Sequence, residues 1–258
     1  MAKVEDLVKL AQKLSSEGLH KYEQTPRRVR GLLNGKYVFD TISAFQVWEH
    51  RFYPQYYIPV SSLTPSAKLS QSTPVEGTNN TIHLATLTTT SPSPNNTTPH
   101  VLIFNTPHLP EQLLKIPAPS LDQWFEEDTP IYSSHPKDPY KRIDILPSSR
   151  RITISLNGVV LADTSNPVLL LETGLRVRYY LLPTSVNWEV LRKSDTKTFC
   201  PYKGMAEYYH VELENGKVER DAVWYYRFPT LESAGIRDLV CFYDEKVEVK
   251  IEGAGEGK

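Results

Sequence analysis

Residues 27–63 read RRVRGLLNGKYVFDTISAFQVWEHRFYPQYYIPVSSL, and residues 150–186 read RRITISLNGVVLADTSNPVLLLETGLRVRYYLLPTSV. The second stretch follows the first at a constant spacing of 123 residues, Asn34 to Asn157, without a gap. Arg27-Arg28 falls on Arg150-Arg151, Leu33-Asn34-Gly35 on Leu156-Asn157-Gly158, Asp40-Thr41 on Asp163-Thr164, Glu49 on Glu172, and Tyr56-Tyr57 on Tyr179-Tyr180. Solenoid repeats run about 20–50 residues, whereas this spacing has the size of a whole domain. The expected organisation is an N-terminal helix at 1–20, a degenerate first β domain at 21–120 with a Ser/Thr/Pro-rich insertion at 64–100, a packed interdomain linker at 121–149 and a second β domain at 150–258.

Each copy reads as antiparallel β. Ile152, Ile154 and Leu156 alternate with Thr153 and Ser155, the period of a half-buried strand. Asn157-Gly158 supplies the positive backbone angles of a tight hairpin turn, and Asn215-Gly216 repeats that signal. VLLLETG, VRYYLLP and EKVEVKIEG add further strands. Helical periodicity is confined to residues 3–15, where Val4, Leu7, Val8, Leu10, Ala11 and Leu14 share a face. PTLESAG, near residue 230, reads as a short helix or turn. The first copy loses its pattern after residue 63. TTTSPSPNNTTP reads as a mobile surface insertion, and IHLATL as one surviving strand. Where the second copy has CPYKG, the first has AKLSQS or thereabouts.

Charge and composition exclude several classes. Hydrophobic residues make up 40% of the chain and charged residues 23%, and the net charge is -1, so no basic surface is expected to track nucleic-acid phosphates or hold an anionic membrane. The start, MAKVEDLVKLAQKL, lacks the apolar core of a secretory signal, and a cytoplasmic protein is expected. Cys200 and Cys241, the only cysteines, read as free thiols and cannot build a four-thiolate zinc site. The triplets at Asn79, Asn95 and Asn96 fit the glycosylation pattern, which has no meaning in that compartment. No metal and no redox cofactor is expected.

VWEHRFYPQYYIP, WFEEDTPIYSSHPKDPYKRIDILPSSR, VLLLETGL, DTKTFCPYKGMAEYY and LVCFYDEKV together resemble a fungal two-copy member of the family known as domain of unknown function 427. The resemblance spans nearly the whole chain outside the Ser/Thr/Pro insertion. It implies a compact, mostly antiparallel, tent-shaped β fold like that of methionine sulfoxide reductase B and the thalidomide-binding domain of cereblon. Those relatives carry zinc on cysteine pairs, which this chain lacks. The family has sometimes been labelled a nucleotidyltransferase, but no Gly-rich phosphate loop or paired metal-binding Asp motif stands in this sequence.

Within this frame, a small-molecule site is expected in the second domain or between the two. Glu172 and Glu49 each end an apolar run, where burial raises a carboxyl pKa and suits it to acid–base work; a structural acid is the alternative. Lys203, in a turn set by Pro201 and Gly204, can recognise an anion or stabilise developing charge. Tyr180, Tyr202, Trp224 and Tyr226 are the expected aromatic walls, with Cys200 beside them as ligand contact, as a nucleophile if His210 or His50 serves as its base, or as buried filler. In the first copy, Trp48, Glu49, His50 and Tyr57 form the parallel set, with His50 able to shuttle protons near neutrality. Strand alternation places Glu49 and His50 on opposite faces. The functions weighed are a binder of a small organic ligand, a redox-cofactor-independent isomerase, cyclase or lyase with Glu172, or Glu49 and His50, as acid–base and Lys203 as electrostatic stabiliser, and a non-catalytic ligand- or peptide-binding module or scaffold.

Overall fold

A computed structural model of the chain describes residues 3–90, 98–107 and 109–253. The chain divides into two compact units, Met1–Asp138 and Pro139–Lys258. Among the described residues the structure is mainly β, in four antiparallel sheets with one N-terminal α-helix, and no helix is long and apolar enough to cross a membrane.

The first unit contains α1 (Val4–Glu17), β1 (Lys21–Gln24), β2 (Val29–Leu33), β3 (Lys36–Thr41), β4 (Phe45–Trp48), β5 (Gln55–Pro59), β6 (Ala67–Pro74), β7 (Ile82–Thr89), β8 (His100–Phe104), β9 (Leu113–Lys115), β10 (Gln123–Glu126) and β11 (Thr129–Ile131). Seven strands form one sheet in the order β1-β4-β5-β9-β8-β7-β6, and four form another, β11-β10-β2-β3. The second unit contains β12 (Ile143–Pro147), β13 (Ile152–Leu156), β14 (Val159–Thr164), β15 (Val168–Glu172), β16 (Arg178–Leu181), β17 (Leu191–Cys200), β18 (Gly204–Glu212), β19 (Val218–Tyr225), β20 (Val240–Phe242) and β21 (Glu248–Ile251). Its sheets run β12-β15-β16-β20-β19-β18-β17 and β14-β13-β21.

Local chemistry accounts for the repeated residues. Asn34-Gly35 and Asn157-Gly158 both take positive φ, joining β2 to β3 and β13 to β14. Arg28 grips Asp40 through two hydrogen bonds, of 2.6 and 2.5 Å, and Arg151 grips Asp163 at 2.9 and 2.7 Å. Thr41 and Thr164 each accept the backbone N–H two residues on, closing equivalent turns. In α1, Glu5 and Asp6 complement the positive end of the helix dipole, and Gly18 at φ 79° stops the helix while donating to the Leu14 carbonyl.

Strand alternation gives each seven-stranded sheet two apolar faces. In the second unit, Leu181, Val211, Val223 and Val240 pack against Ile152, Ile154 and Leu161 of the smaller sheet. Tyr180, Tyr208, Trp224 and Cys241 line the opposite face with Leu170 and Ile236. The first unit is built the same way: Ile58, Leu87 and Leu114 meet Val29, Leu33 and Phe39 of the smaller sheet. Its opposite face, with Val47, Tyr57, Leu102 and Phe104, is covered by Leu7, Ala11 and Leu14 of α1.

Three sequence expectations are revised. IHLATL forms β7 as expected, but residues 64–100 also hold β6, which its Ser and Thr content hides: much of β6 is an exposed sheet edge, which needs few apolar residues. The centre of that insertion, 91–97, with Asn95 and Asn96, lies outside the described residues. AKLSQS belongs to strand β6, so the segment in the first unit at the place of CPYKG is the β6–β7 connection, 75–81. Residues 121–149 are no continuous linker. They give β10 and β11 to the first unit and β12 to the second.

Candidate functional site

In the second unit, the face of the large sheet turned away from the small one encloses a recess of about 390 Å³. Period-2 alternation builds its walls. Arg178 and Tyr180 project from β16, Tyr208 from β18 and Trp224 from β19, with Tyr226 just past that strand and Tyr243 just past β20. The indole N–H of Trp224 donates to the Tyr180 hydroxyl at 3.1 Å, fixing both rings at 86° to one another. The Tyr208 and Thr198 hydroxyls lie 2.7 Å apart. Burial pushes the hydroxyl pKa values of Tyr180, Tyr226 and Tyr243 well above the usual tyrosine value, so each remains a neutral O–H.

Two ion clusters frame these rings. Glu172, its side chain only 4% exposed, accepts from Lys141 at 3.3 Å on one oxygen and from Lys203 on the other. Opposite in charge arrangement, Arg178 lies 5.5 Å from the ring centroids of both Trp224 and Tyr243 and binds Glu245 through two 2.9 Å hydrogen bonds. Those bonds hold the Glu245 carboxyl down at about 2. Arg178 also pairs with Asp244.

Lys203 reaches Glu172 because its loop is pinned. Thr230 and Ser233 hydroxyls both donate to the Tyr202 carbonyl, and Thr230 N–H donates to the Lys203 carbonyl. Gly204 adopts φ 97°, and a Cβ there would meet the Phe228 carbonyl at 3.0 Å. That is the requirement behind CPYKG: glycine is the residue that can make this turn.

The expected residues fall into three groups. Glu172, Lys203, Tyr180, Trp224 and Tyr226 all line the recess. Tyr202 and Cys200 do not: the Tyr202 ring is buried with Lys141 5.7 Å from its centroid, and Cys200 ends β17 half-buried. Both cysteines are free, and burial raises the Cys241 thiol far out of the reactive range. Trp48, Glu49, His50 and Tyr57 belong to the first unit. There Glu49 accepts from Lys115 at 2.5 Å and from the Tyr57 hydroxyl at 3.2 Å. Trp48 donates to Asp138, and His50 accepts the Phe52 N–H to close a turn. Trp48 and Tyr57 are buried in the core, whereas Glu49 and His50 are half-buried.

Register explains the difference. Across the second unit, Tyr180 pairs with Cys241, Cys241 with Trp224, and Trp224 with Tyr208. Across the first, Tyr57 pairs with Lys115, Lys115 with Leu102, and Leu102 with Leu84. Trp and Tyr are thus replaced by two leucines, and α1 lies on the result. Lys115 occupies the register position of Cys241 and supplies the cation for Glu49 that Lys203 supplies for Glu172. A space of about 410 Å³ beside α1, between Leu14, Tyr22 and Phe104, has no charged side chain in its wall. The cleft between Tyr56, Trp124 and His135 holds only about 20 Å³, room for one water.

Sequence reasoning missed Arg178, Tyr208, Tyr243 and Lys141. Two carried a readable signal: Arg178 stands two residues before Tyr180, and Tyr208 is among the aromatics following CPYKG. Lys141 and Tyr243 had none, since only the folded sheet brings them to the site.

A family model described as domain of unknown function (DUF427) matches residues 21–81 and 144–253, more than half of the chain. The chain belongs to the DUF427 family. One matched segment lies in each unit, and the longer contains every residue that lines the recess of this DUF427 protein. Lys141 and Lys115 fall outside the matches. No curated protein matches the chain. Among the described residues no three His, Cys, Asp or Glu gather around a common point.

Proposed function

We propose that this DUF427 chain carries two copies of one β unit and that the second copy binds a small planar organic molecule. The observation that carries the reading is a recess of about 390 Å³ lined by Trp224 and four tyrosines together with the ion-paired side chains of Glu172, Lys203, Arg178 and Glu245. That size and that distribution suit a ligand of drug-like dimensions. The rings line the recess as an apolar wall, and Lys203, which gives one N–H to Glu172, retains two for a guest. The same strand order in both units, with matching turns and Arg–Asp clamps, supports the duplication. In the first copy α1 takes the guest's place.

Binding is favoured over acid–base catalysis by one detail. Both Glu172 oxygens already accept from lysine, so a substrate proton has to compete with two ion pairs for them. Two free thiols, one fully buried, fit a reducing compartment, and we read the chain as cytoplasmic.

The test is a thermal-shift screen of the full chain against ring compounds, with hits followed by tryptophan fluorescence. Hits should quench emission in the parent, and Lys203→Ala or Glu172→Gln should weaken them. Hits that shift both variants as much as the parent would remove this recess from consideration.

A further inference from the structure

The Tyr226 ring is 95% buried yet its hydroxyl makes no hydrogen bond, while its neighbours Tyr208, Tyr180 and Trp224 all do. Among the described residues no fully enclosed side-chain polar atom lacks a partner. The Tyr226 hydroxyl therefore opens on the recess that its ring lines. Tyr180 is in the complementary state. Its oxygen accepts from Trp224, and its proton has no acceptor. The two hydroxyls are near enough to influence one another electrostatically. Two hydroxyl hydrogens without an acceptor in the fold offer a guest in the recess two donors.

The edges of the recess say what kind. Every charged group there already has an opposite partner: Lys203 with Glu172, Arg178 with Glu245 and Asp244, Arg176 with the same two acids. A charged guest meets groups whose charge these pairs already neutralise. A neutral one displaces no pair.

Resting on the binding reading above, we propose that the ligand is an uncharged planar ring bearing a carbonyl oxygen, which takes the O–H of Tyr226 and of Tyr180 while the ring lies against Trp224. A carbonyl has two lone pairs and can accept both hydrogens. Ring ketones without ionisable groups are the simplest members of this class.

The experiment uses the full chain and pairs of probes that differ only in C=O against CH₂: 1-indanone with indane, and two- and three-ring homologues. Binding is followed by tryptophan quenching. The ketone of a bound pair should bind about tenfold more tightly than its hydrocarbon. Tyr226→Phe removes a hydroxyl that has no partner in the fold, so folding is preserved. It should cut the ratio to about threefold, because Tyr180 still donates one hydrogen bond. Equal binding of both members by the parent, or a ratio retained in Tyr226→Phe, overturns the carbonyl assignment and leaves the binding site standing. Binding of neither member across the series removes both.

Discussion

Replacing Lys115 by methionine tests how the two carboxylates are held. Glu49 and Lys115 form a pair with side chains 13% and 7% exposed, and burial pushes the Lys115 pKa down despite the neighbouring carboxylate. Without Lys115, Glu49 keeps only the Tyr57 hydroxyl. Stranding one member of a buried pair costs about 3–5 kcal/mol, whereas replacing both with uncharged residues is often close to neutral. Lys115→Met should therefore lower the melting temperature of the first unit by about 6–20 °C, at about 2–4 °C per kcal/mol. Adding Glu49→Gln should recover most of that loss. Lys203→Met is the contrast. Glu172 keeps Lys141 at 3.3 Å, so its cost should stay near 1–2 kcal/mol, that of one charge-assisted hydrogen bond. Calorimetry of the full chain measures all three. A loss below about 1 kcal/mol for Lys115→Met, or no recovery in the double variant, would show that Glu49 does not carry its charge in the fold and would end this account.

Three further outcomes are expected. Burial lowers the His50 pKa below its usual 6.5, so the unfolded chain takes up a proton that the folded chain resists. Stability is then full above pH 6.5 and falls as pH drops from 6.5 towards the folded value; His50→Gln should flatten melting temperature against pH in that window, and an unchanged slope would exclude His50 as the cause. Gly204→Ala forces a side chain into φ 97° and against the Phe228 carbonyl, and should cost about 1–3 kcal/mol in urea denaturation; a neutral result would show that the loop carrying Lys203 is not set by this turn. Leu14→Ala, at a site 5% exposed, should cost the first unit about 2–5 kcal/mol and leave the second unit's transition in place; an unchanged first transition would show that α1 does not cover that face.

Local sequence signals determined a great deal. The 123-residue spacing announced two units, and Asn-Gly turns, strand alternation and the amphipathic N-terminus located their elements, because turn chemistry and apolar periodicity act over a few residues. Glu172, Lys203, Tyr180, Trp224 and Tyr226 were also nameable from the chain. Their assembly was not. Glu172 and Lys203 are 31 residues apart, and they meet because strand register and the Thr230 and Ser233 anchors of a third segment bring their loops together. Lys115 was an undistinguished residue in LLKIP until register set it opposite Tyr57, in the place taken by Cys241 in the other unit. The partly exposed edge strand β6 escaped notice because solvent satisfies a polar edge that a core strand cannot tolerate. Tertiary structure alone decided that α1 covers one sheet face while the corresponding face carries the recess. Which apolar surface a helix buries depends on the fit between distant side chains, here two leucines against a tryptophan and a tyrosine, and no local pattern encodes that fit.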